Sequence, residues 1–258
     1  MKIKRVNVLG VGISVLNLKS ALEQLIRVCY KEGHLGYVTV TGVHGVMECQ
    51  SDEDLRNAHN DSFMTTPDGM PMVWLGKAYG HADMDRVYGP EMMKDFLACT
   101  EGSGIRHFFY GGAEGVAEAL KESVLQIYPK TEIVGTFCPP FRPLNEGEEA
   151  CLLAQIQETK PHCIWVGLST PKQERFMAHF VQKYPEINQH WGHGLTLFGV
   201  GAAFDFISGR VKQAPYWIQR SGFEWLYRVY ADPKRLWRRY TVNNTKFVFK
   251  ILLQLAKF

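Results

Sequence analysis

The sequence has 258 residues, 46% hydrophobic and 21% charged, with a formal net charge of +3. That is enough chain for one substantial core or a domain with an appendage, and the balance excludes a disordered or fibrous protein. No apolar run reaches the roughly 20 residues that span a bilayer. The alternation of Lys2, Lys4 and Arg5 with apolar residues reads as a first strand rather than a signal peptide, so a cytosolic protein is expected. Cys29, Cys49, Cys99, Cys138, Cys151 and Cys163 form no C-x-x-C pair, which argues against a zinc site or a disulfide framework and leaves reduced, mostly buried thiols.

In chain order, short β-branched and aromatic runs alternate with helical periodicity, the pattern of an α/β layer fold. Strands are predicted at Ile3–Leu9, Tyr37–Val40, Phe63–Thr66, His107–Tyr110, Glu132–Phe137, Cys163–Val166 and Leu195–Val200. Helices are predicted near Leu18–Lys31, Val46–Asn60, Met70–Tyr79, Glu91–Thr100, Gly115–Tyr128, Glu146–Thr159 and Lys172–Lys183. The expected fold class is therefore a Rossmann-like, mostly parallel sheet layered with helices. A helical basic and apolar appendage follows, dividing the chain into 1–214 and 215–258.

Several strands end in glycine, where ligands of open α/β sheets bind. Gly10-Val11-Gly12 lacks the third glycine of a dinucleotide fingerprint, since position 15 is valine, and reads as a strand-to-helix turn. Asp68, in Thr66-Pro67-Asp68-Gly69, reads either as the cap of the next helix or as a carboxylate fixed on a rigid turn to act as general base. Arg86, just before a helix start, is either a surface charge or a fork for a phosphate or carboxylate. Gly111-Gly112 leads into a helix start that suits an anion or a nucleotide edge, or is simply a tight turn. In Gly167-Leu168-Ser169-Thr170-Pro171-Lys172-Gln173-Glu174, Ser169 or Thr170 is expected to cap a helix that begins at Pro171, and the Gln173 amide can both donate and accept towards a sugar or base. Around Gly201 the small residues leave room for a flat ligand, and Asp205 either accepts from a hydroxyl or N–H of that ligand or is a buried capping aspartate.

From Arg210 onward stand eleven Lys/Arg and two acids, so the remainder of the chain is net acidic. Such a tail meets an anion: nucleic acid, a phosphate-bearing substrate or a membrane surface. Asp232-Pro233 is expected to divide it into two helices, with Arg228, Arg235 and Arg238 on one face. The apolar residues of Phe247–Phe258, margined by lysines, describe an interfacial membrane helix better than a core helix. Read from composition alone, a nucleic-acid-binding protein and a soluble nucleotide-sugar-modifying enzyme with a structural tail both stay open. The first predicts steeply salt-dependent binding.

The segments Thr39/Thr41, TPDGM, RVYGPE, FFYGG, GLSTPKQE, GVGAAFDFISGRVKQAP and GFEWLYRVYADPKRLWRRY, in this order, resemble the WecG/TagA/CpsF family of bacterial glycosyltransferases (glycosyltransferase family 26) over nearly the whole chain. The resemblance implies inverting transfer of a hexose or N-acetylhexosamine from a UDP-sugar to a polyprenyl-diphosphate-linked saccharide, without cofactor or essential metal. It places the protein peripherally on the inner face of the cytoplasmic membrane, with no nucleic-acid partner, and leaves a homo-oligomer open. It casts Asp68 as general base and Arg86 as a residue needed for activity. Thr39, Thr41, Gln173, Gly111, Gly112, Gly201 and Asp205 fall in the substrate pocket, and Arg228, Arg235 and Arg238 on the diphosphates. Some members have asparagine where this chain has Thr41, so N-acetylmannosamine is not assigned as the donor sugar. The leaving diphosphate is expected to be held by fixed cations, on the reading that the sequence offers no Asp-x-Asp motif to hold a divalent ion.

Overall fold

A computed structural model describes residues 3–231 and 233–256, with the side chains at 228, 231, 234–236 and 238–240 outside the description. In chain order the elements are β1 (Arg5–Val8), β2 (Val11–Ser14), α1 (Leu18–Cys29), β3 (Leu35–Thr41), α2 (Val43–Glu48), α3 (Glu53–Asn60), β4 (Met64–Pro67), α4 (Met70–Ala78), α5 (Gly89–Thr100) and β5 (Arg106–Gly111). There follow α6 (Val116–Ile127), β6 (Glu132–Phe137), α7 (Glu146–Thr159), β7 (Cys163–Gly167), α8 (Lys172–Lys183), β8 (Leu195–Gly199), α9 (Ala203–Ile207), α10 (Tyr216–Ser221), α11 (Glu224–Ala231) and α12 (Pro233–Leu255). The main sheet has six strands in the order β4-β3-β8-β7-β5-β6. Its β6-β5, β5-β7 and β7-β8 pairs are parallel, so the expected α/β class holds.

By its contacts the chain forms two compact units. One comprises Lys19–Val38 and Gly89–Lys212. Its strands read as unbroken apolar runs because helices cover both faces. Ile164 and Val166 of β7 join Leu195 and Leu197 of β8 and Leu152, Ile156, Met177 and Phe180 from α7 and α8 in one buried cluster. The alternate residue, Trp165, points the other way, stacks 4.4 Å from Phe198 and meets Phe96 of α5 edge-on at 5.6 Å. Cys29 and Cys163 are buried in this unit with sulfurs 3.7 Å apart. All six cysteines are free, but only Cys29, Cys49 and Cys163 are buried, and Cys99 and Cys151 are exposed; the expectation of mostly buried thiols is corrected.

The other unit comprises Met1–Leu18, Thr39–Tyr88 and Gln213–Phe258. Three of its elements depart from the sequence reading. The segment read as a strand-to-helix turn is a β-hairpin: Val8 pairs with Val11, and the two residues between them, Leu9 and Gly10, have φ of 53° and 88°. Two left-handed residues in a two-residue loop match the twist of the flanking strands, and β1 and β2 form a small sheet of their own. The predicted helix Val46–Asn60 is two helices, because the Asp52 backbone is extended and its carboxylate accepts from the Leu55 N–H at 3.0 Å, starting α3 afresh. Among the described residues the tail holds three helices rather than two, since Gly222 adopts a left-handed conformation (φ 82°) and ends α10. Pro233 opens α12 as expected, where its missing N–H costs nothing.

Helix α12 has two apolar faces with different fates. Phe247 and Ile251, one turn apart, are buried with Val6, Val8, Val11 and Ile13 of the hairpin. The Gln254 amide clamps the same hairpin, accepting from Leu9 N–H at 2.8 Å and donating to Asn7 O at 2.9 Å. Val248, Phe249, Leu252 and Leu253 are exposed. The segment 247–256 is thus core on one face, through Phe247 and Ile251, and apolar and exposed on the other. Among the described residues no helix is long and apolar enough to cross a membrane.

Candidate active site

In the unit of Met1–Leu18, Thr39–Tyr88 and Gln213–Phe258, Asp68 follows β4 and stands on a turn held by its own N–H, which donates to Thr41 O at 2.9 Å. The turn lies so close to β3 that a Cβ on Gly42 would sit 2.4 Å from Asp68 O, so no other residue fits at position 42 without moving the turn. The reading of Asp68 as a helix cap is overturned: the N-cap of α4 is Gly69, with no side-chain cap bond. The Asp68 side chain, 30% exposed, instead places Oδ1 3.6 Å from Nη2 of Arg86.

Arg86 is not a surface charge, since its side chain is only 4% exposed. Its Nη1 donates to Gln219 O at 2.9 Å, its Nη2 donates to Glu224 Oε2, and its guanidinium lies 4.2 Å from the centre of the Tyr88 ring. Burial works against the charge, but the carboxylates of Asp68 and Glu224 outweigh it and hold the guanidinium pKa above its ordinary value. The outcome is one buried cation between two carboxylates, one from the turn after β4 and one from the first turn of α11.

Thr39 and Thr41 are 0% and 1% exposed. Both hydroxyls are within hydrogen-bond reach of His59 Nδ1, at 3.0 and 2.9 Å, and Thr39 also meets the Thr65 hydroxyl at 3.2 Å. The network continues from Thr65 to Ser62 and to the His59 carbonyl. Two threonines expected in the substrate pocket thus face a buried polar network behind β3. His59 at its centre is kept neutral, its pKa pushed down to about 4 by burial and then by the Arg5 charge. An unfolded histidine titrates near 6.5. As pH falls from 6.5 towards 4, the unfolded chain therefore takes up a proton that the folded chain refuses, and stability present above 6.5 is lost. His59 alone is expected to cost about 2 kcal/mol by pH 5. His34, His107 and His162, depressed to about 4, 3 and 4, act in the same direction. Urea unfolding at pH 7.5 and 5.0 measures this, and equal unfolding free energies would contradict it.

In the other unit, Gly111, Gly112, Gln173, Gly201 and Asp205 lie at or beyond the carboxyl ends of β5, β7 and β8. A Cβ on Gly111, at φ 120°, would stand 2.8 Å from the Gly167 backbone, and Gly112 N–H donates to Gly167 O at 2.9 Å. The space freed at Gly111 is taken by the neighbouring strand, and that at Gly112 by the Val116 side chain of α6. Gly115, rather than Gly111 or Gly112, is the N-cap of α6.

Neither Ser169 nor Thr170 caps α8; the N-cap is Pro171, without a side-chain bond. The Thr170 hydroxyl donates instead to Glu174 Oε1 at 2.9 Å, and Gln173 Nε2 donates to the same oxygen at 3.0 Å. This fixes the Gln173 amide with its Oε1 towards the Gly201 turn, 3.5 Å from where a Cβ on Gly201 would be. Gln173 Oε1 and Glu174 Oε2 are buried with no hydrogen-bond partner among the described residues. Burial pushes the Glu174 carboxyl above the usual carboxylate range, against the hydrogen bonds from Gln173, from its own backbone and from Thr170. Asp205 is half-buried in the first turn of α9, where its carbonyl accepts from Val211 N–H at 3.1 Å.

The side chains of Arg228, Arg235 and Arg238 lie outside the described residues; their backbones belong to α11 and α12. The reading that no Asp-x-Asp motif is present is corrected: two such spacings occur, Asp52-Glu53-Asp54 and Asp83-Met84-Asp85. Asp52 is occupied as the cap of α3, and Asp85 binds Arg86 N–H and the Arg220 guanidinium at 2.8 and 2.9 Å. Glu224, His59 and Glu174 were not singled out from sequence. For Glu174 a signal existed, because the helical period through Met177 and Phe180 projects back onto residues 173 and 174, all four of them buried.

The sequence profile of the glycosyl transferase WecG/TagA/CpsF family matches residues 6–258. The chain belongs to that family. It is accordingly a glycosyltransferase. Among its relatives is an N-acetylglucosaminyldiphosphoundecaprenol N-acetyl-beta-D-mannosaminyltransferase of Bacillus subtilis (strain 168), 28% identical over 204 residues, or 78% of this chain and 73% of the relative. A protein of the same name from Bacillus spizizenii (strain ATCC 23059 / NRRL B-14472 / W23) is 30% identical over 186 residues, 72% of this chain and 66% of the relative.

Proposed function

We propose that this glycosyltransferase moves a hexose or N-acetylhexosamine from a UDP-sugar to a polyprenyl-diphosphate-linked saccharide, with inversion and without a metal, at the inner face of the cytoplasmic membrane. The observation that carries the chemistry is the partly exposed Asp68 carboxylate beside the buried Arg86 cation on a turn fixed to β3. The acceptor is supported by the relatives, whose names specify a diphosphoundecaprenol-linked acceptor. Asp68 takes the proton of the acceptor hydroxyl as its oxygen forms a bond to the anomeric carbon. The bond from that carbon to the diphosphate breaks, and UDP leaves with the electron pair. Arg228, Arg235 and Arg238 are assigned to the diphosphates, since bidentate arginine holds phosphate charge without a metal. Gln173, Gly201 and Asp205, with the Gly111-Gly112 turn, are assigned to donor binding. Thr39 and Thr41, having buried side chains, act by shaping β3 beneath the Asp68 turn. Residues 215–258 serve as the membrane-associating appendage, and the exposed apolar face of α12 supports that role.

The test is a panel of UDP-sugars offered with a short-chain lipid-diphosphate N-acetylglucosamine acceptor, recording UDP release and product mass with and without a chelator. One sugar of the panel is expected to appear on the acceptor with the opposite anomeric configuration, chelator or not. UDP release without a lipid-linked product would refute the acceptor, and chelator-sensitive transfer would refute metal independence.

A further inference from the structure

We propose that Glu224 is a positioning residue for the transfer reaction, holding Arg86 so that its charge supports the Asp68 carboxylate without closing on it. The inference rests on the reading of Asp68 as the base. Glu224 and Asp68 lie on the same guanidinium nitrogen, Nη2, and Glu224 is the nearer of the two. The other terminal nitrogen, Nη1, is engaged by Gln219 O at 2.9 Å. Both of these partners come from the C-terminal segment, and the adjacent Arg220–Asp85 pair at 2.9 Å fastens that segment to the residue before Arg86. With Tyr88 under its face at 4.2 Å, the guanidinium is confined on three sides.

The chemistry explains why such a device is useful. An arginine left to itself beside a carboxylate forms a bidentate pair, which occupies the oxygens and weakens the carboxylate as a base. A second carboxylate that binds Arg86 more closely draws the cation back from Asp68, whose Oδ1 stays 3.6 Å from Nη2. The arrangement also ties the base to the C-terminal segment. Placement of Arg86 is complete only when residues 219 and 224 are docked in this unit, so the segment's packing is read out at Asp68.

The experiment compares wild-type protein with Glu224→Gln, Glu224→Asp, Arg86→Lys and the Glu224→Gln/Arg86→Lys double variant. Steady-state transfer uses the acceptor and donor panel above, and amide hydrogen exchange uses the full chain without substrate. Glu224→Gln is expected to lower kcat roughly tenfold to a hundredfold, a part of the general-base contribution, while the donor KM changes less than twofold. The double variant is expected to lose no more than the worse single variant, as residues acting as one unit do. Exchange is expected to rise both at 216–227 and at 67–72. Glu224→Asp, which keeps the charge, should recover most of the loss. Wild-type kcat in Glu224→Gln, multiplicative losses in the double variant, equal losses for Gln and Asp, or unchanged exchange at 67–72 would each overturn the proposal. If the wild-type protein transfers no sugar at all, the reading of function fails, and the exchange measurements still decide whether Glu224 positions the Asp68 turn.

Discussion

Asp68→Asn is expected to abolish sugar transfer while leaving UDP-sugar binding intact. Asparagine keeps the size and shape of the side chain but cannot accept the acceptor's proton, so the loss falls on the chemical step. A positioned general base contributes about 10²- to 10⁴-fold, and kcat is expected to drop by that factor. The turn itself should survive, because it is held by the Asp68 backbone N–H to Thr41 O and by the close approach at Gly42, neither of which involves the carboxylate. Removing the carboxylate leaves Arg86 paired with Glu224, so the buried cation is not stranded. Calorimetric titration with UDP and single-turnover assays separate binding from chemistry. A variant with wild-type kcat would rule Asp68 out as the base, and one that fails to bind UDP would show that the residue serves the donor instead.

Replacing Phe249, Leu252 and Leu253 with serine is expected to release the protein from anionic vesicles while leaving it folded. These side chains are 63%, 60% and 50% exposed on the outer face of α12. Each apolar side chain of this size gains about 1.5–3 kcal/mol on leaving water. Even half of the summed effect, about 3 kcal/mol, would weaken partitioning more than a hundredfold. Phe247→Ala is the contrasting variant: that ring is buried against the β1–β2 hairpin, and its truncation should cost about 3–5 kcal/mol of stability. Vesicle sedimentation and urea unfolding on both variants check the assignment. Unchanged sedimentation of the triple variant would show that the outer face of α12 is not the membrane-binding surface.

Much of the α/β layer was legible because each of its elements is specified locally. The strands β5, β7 and β8 are short apolar runs ending in glycine, and the helices between them carry a 3.6-residue period. Local signals also misled. Gly10-Val11-Gly12 has the composition of a strand-to-helix turn, yet β1 has an antiparallel partner immediately after it and makes a hairpin. The run Val46–Asn60 has a continuous helical composition, yet Asp52 satisfies the Leu55 N–H and restarts the helix. In both cases one or two turn residues outweigh the propensity of the stretch around them.

The site divides in the same way. That Asp68 stands on a rigid turn could be read from Pro-Asp-Gly alone, since that chemistry is local. What the carboxylate faces could not: that is Arg86, eighteen positions on, itself held by Glu224, 138 positions further. Likewise the hydroxyls of Thr39 and Thr41 have the right chemistry for a substrate, and only packing turns them towards His59. From the sequence alone came the α/β class, most of the strands and helices of the main layer, the family resemblance and the residue types available for the chemistry, because propensity, turn geometry and motif spacing act over a few residues. Tertiary structure alone decided which charges meet, which hydroxyls are spent on the protein and which face of α12 is left outside. Burial and pairing depend on contacts between residues distant in the chain, and one sequence period can serve either a core or a surface.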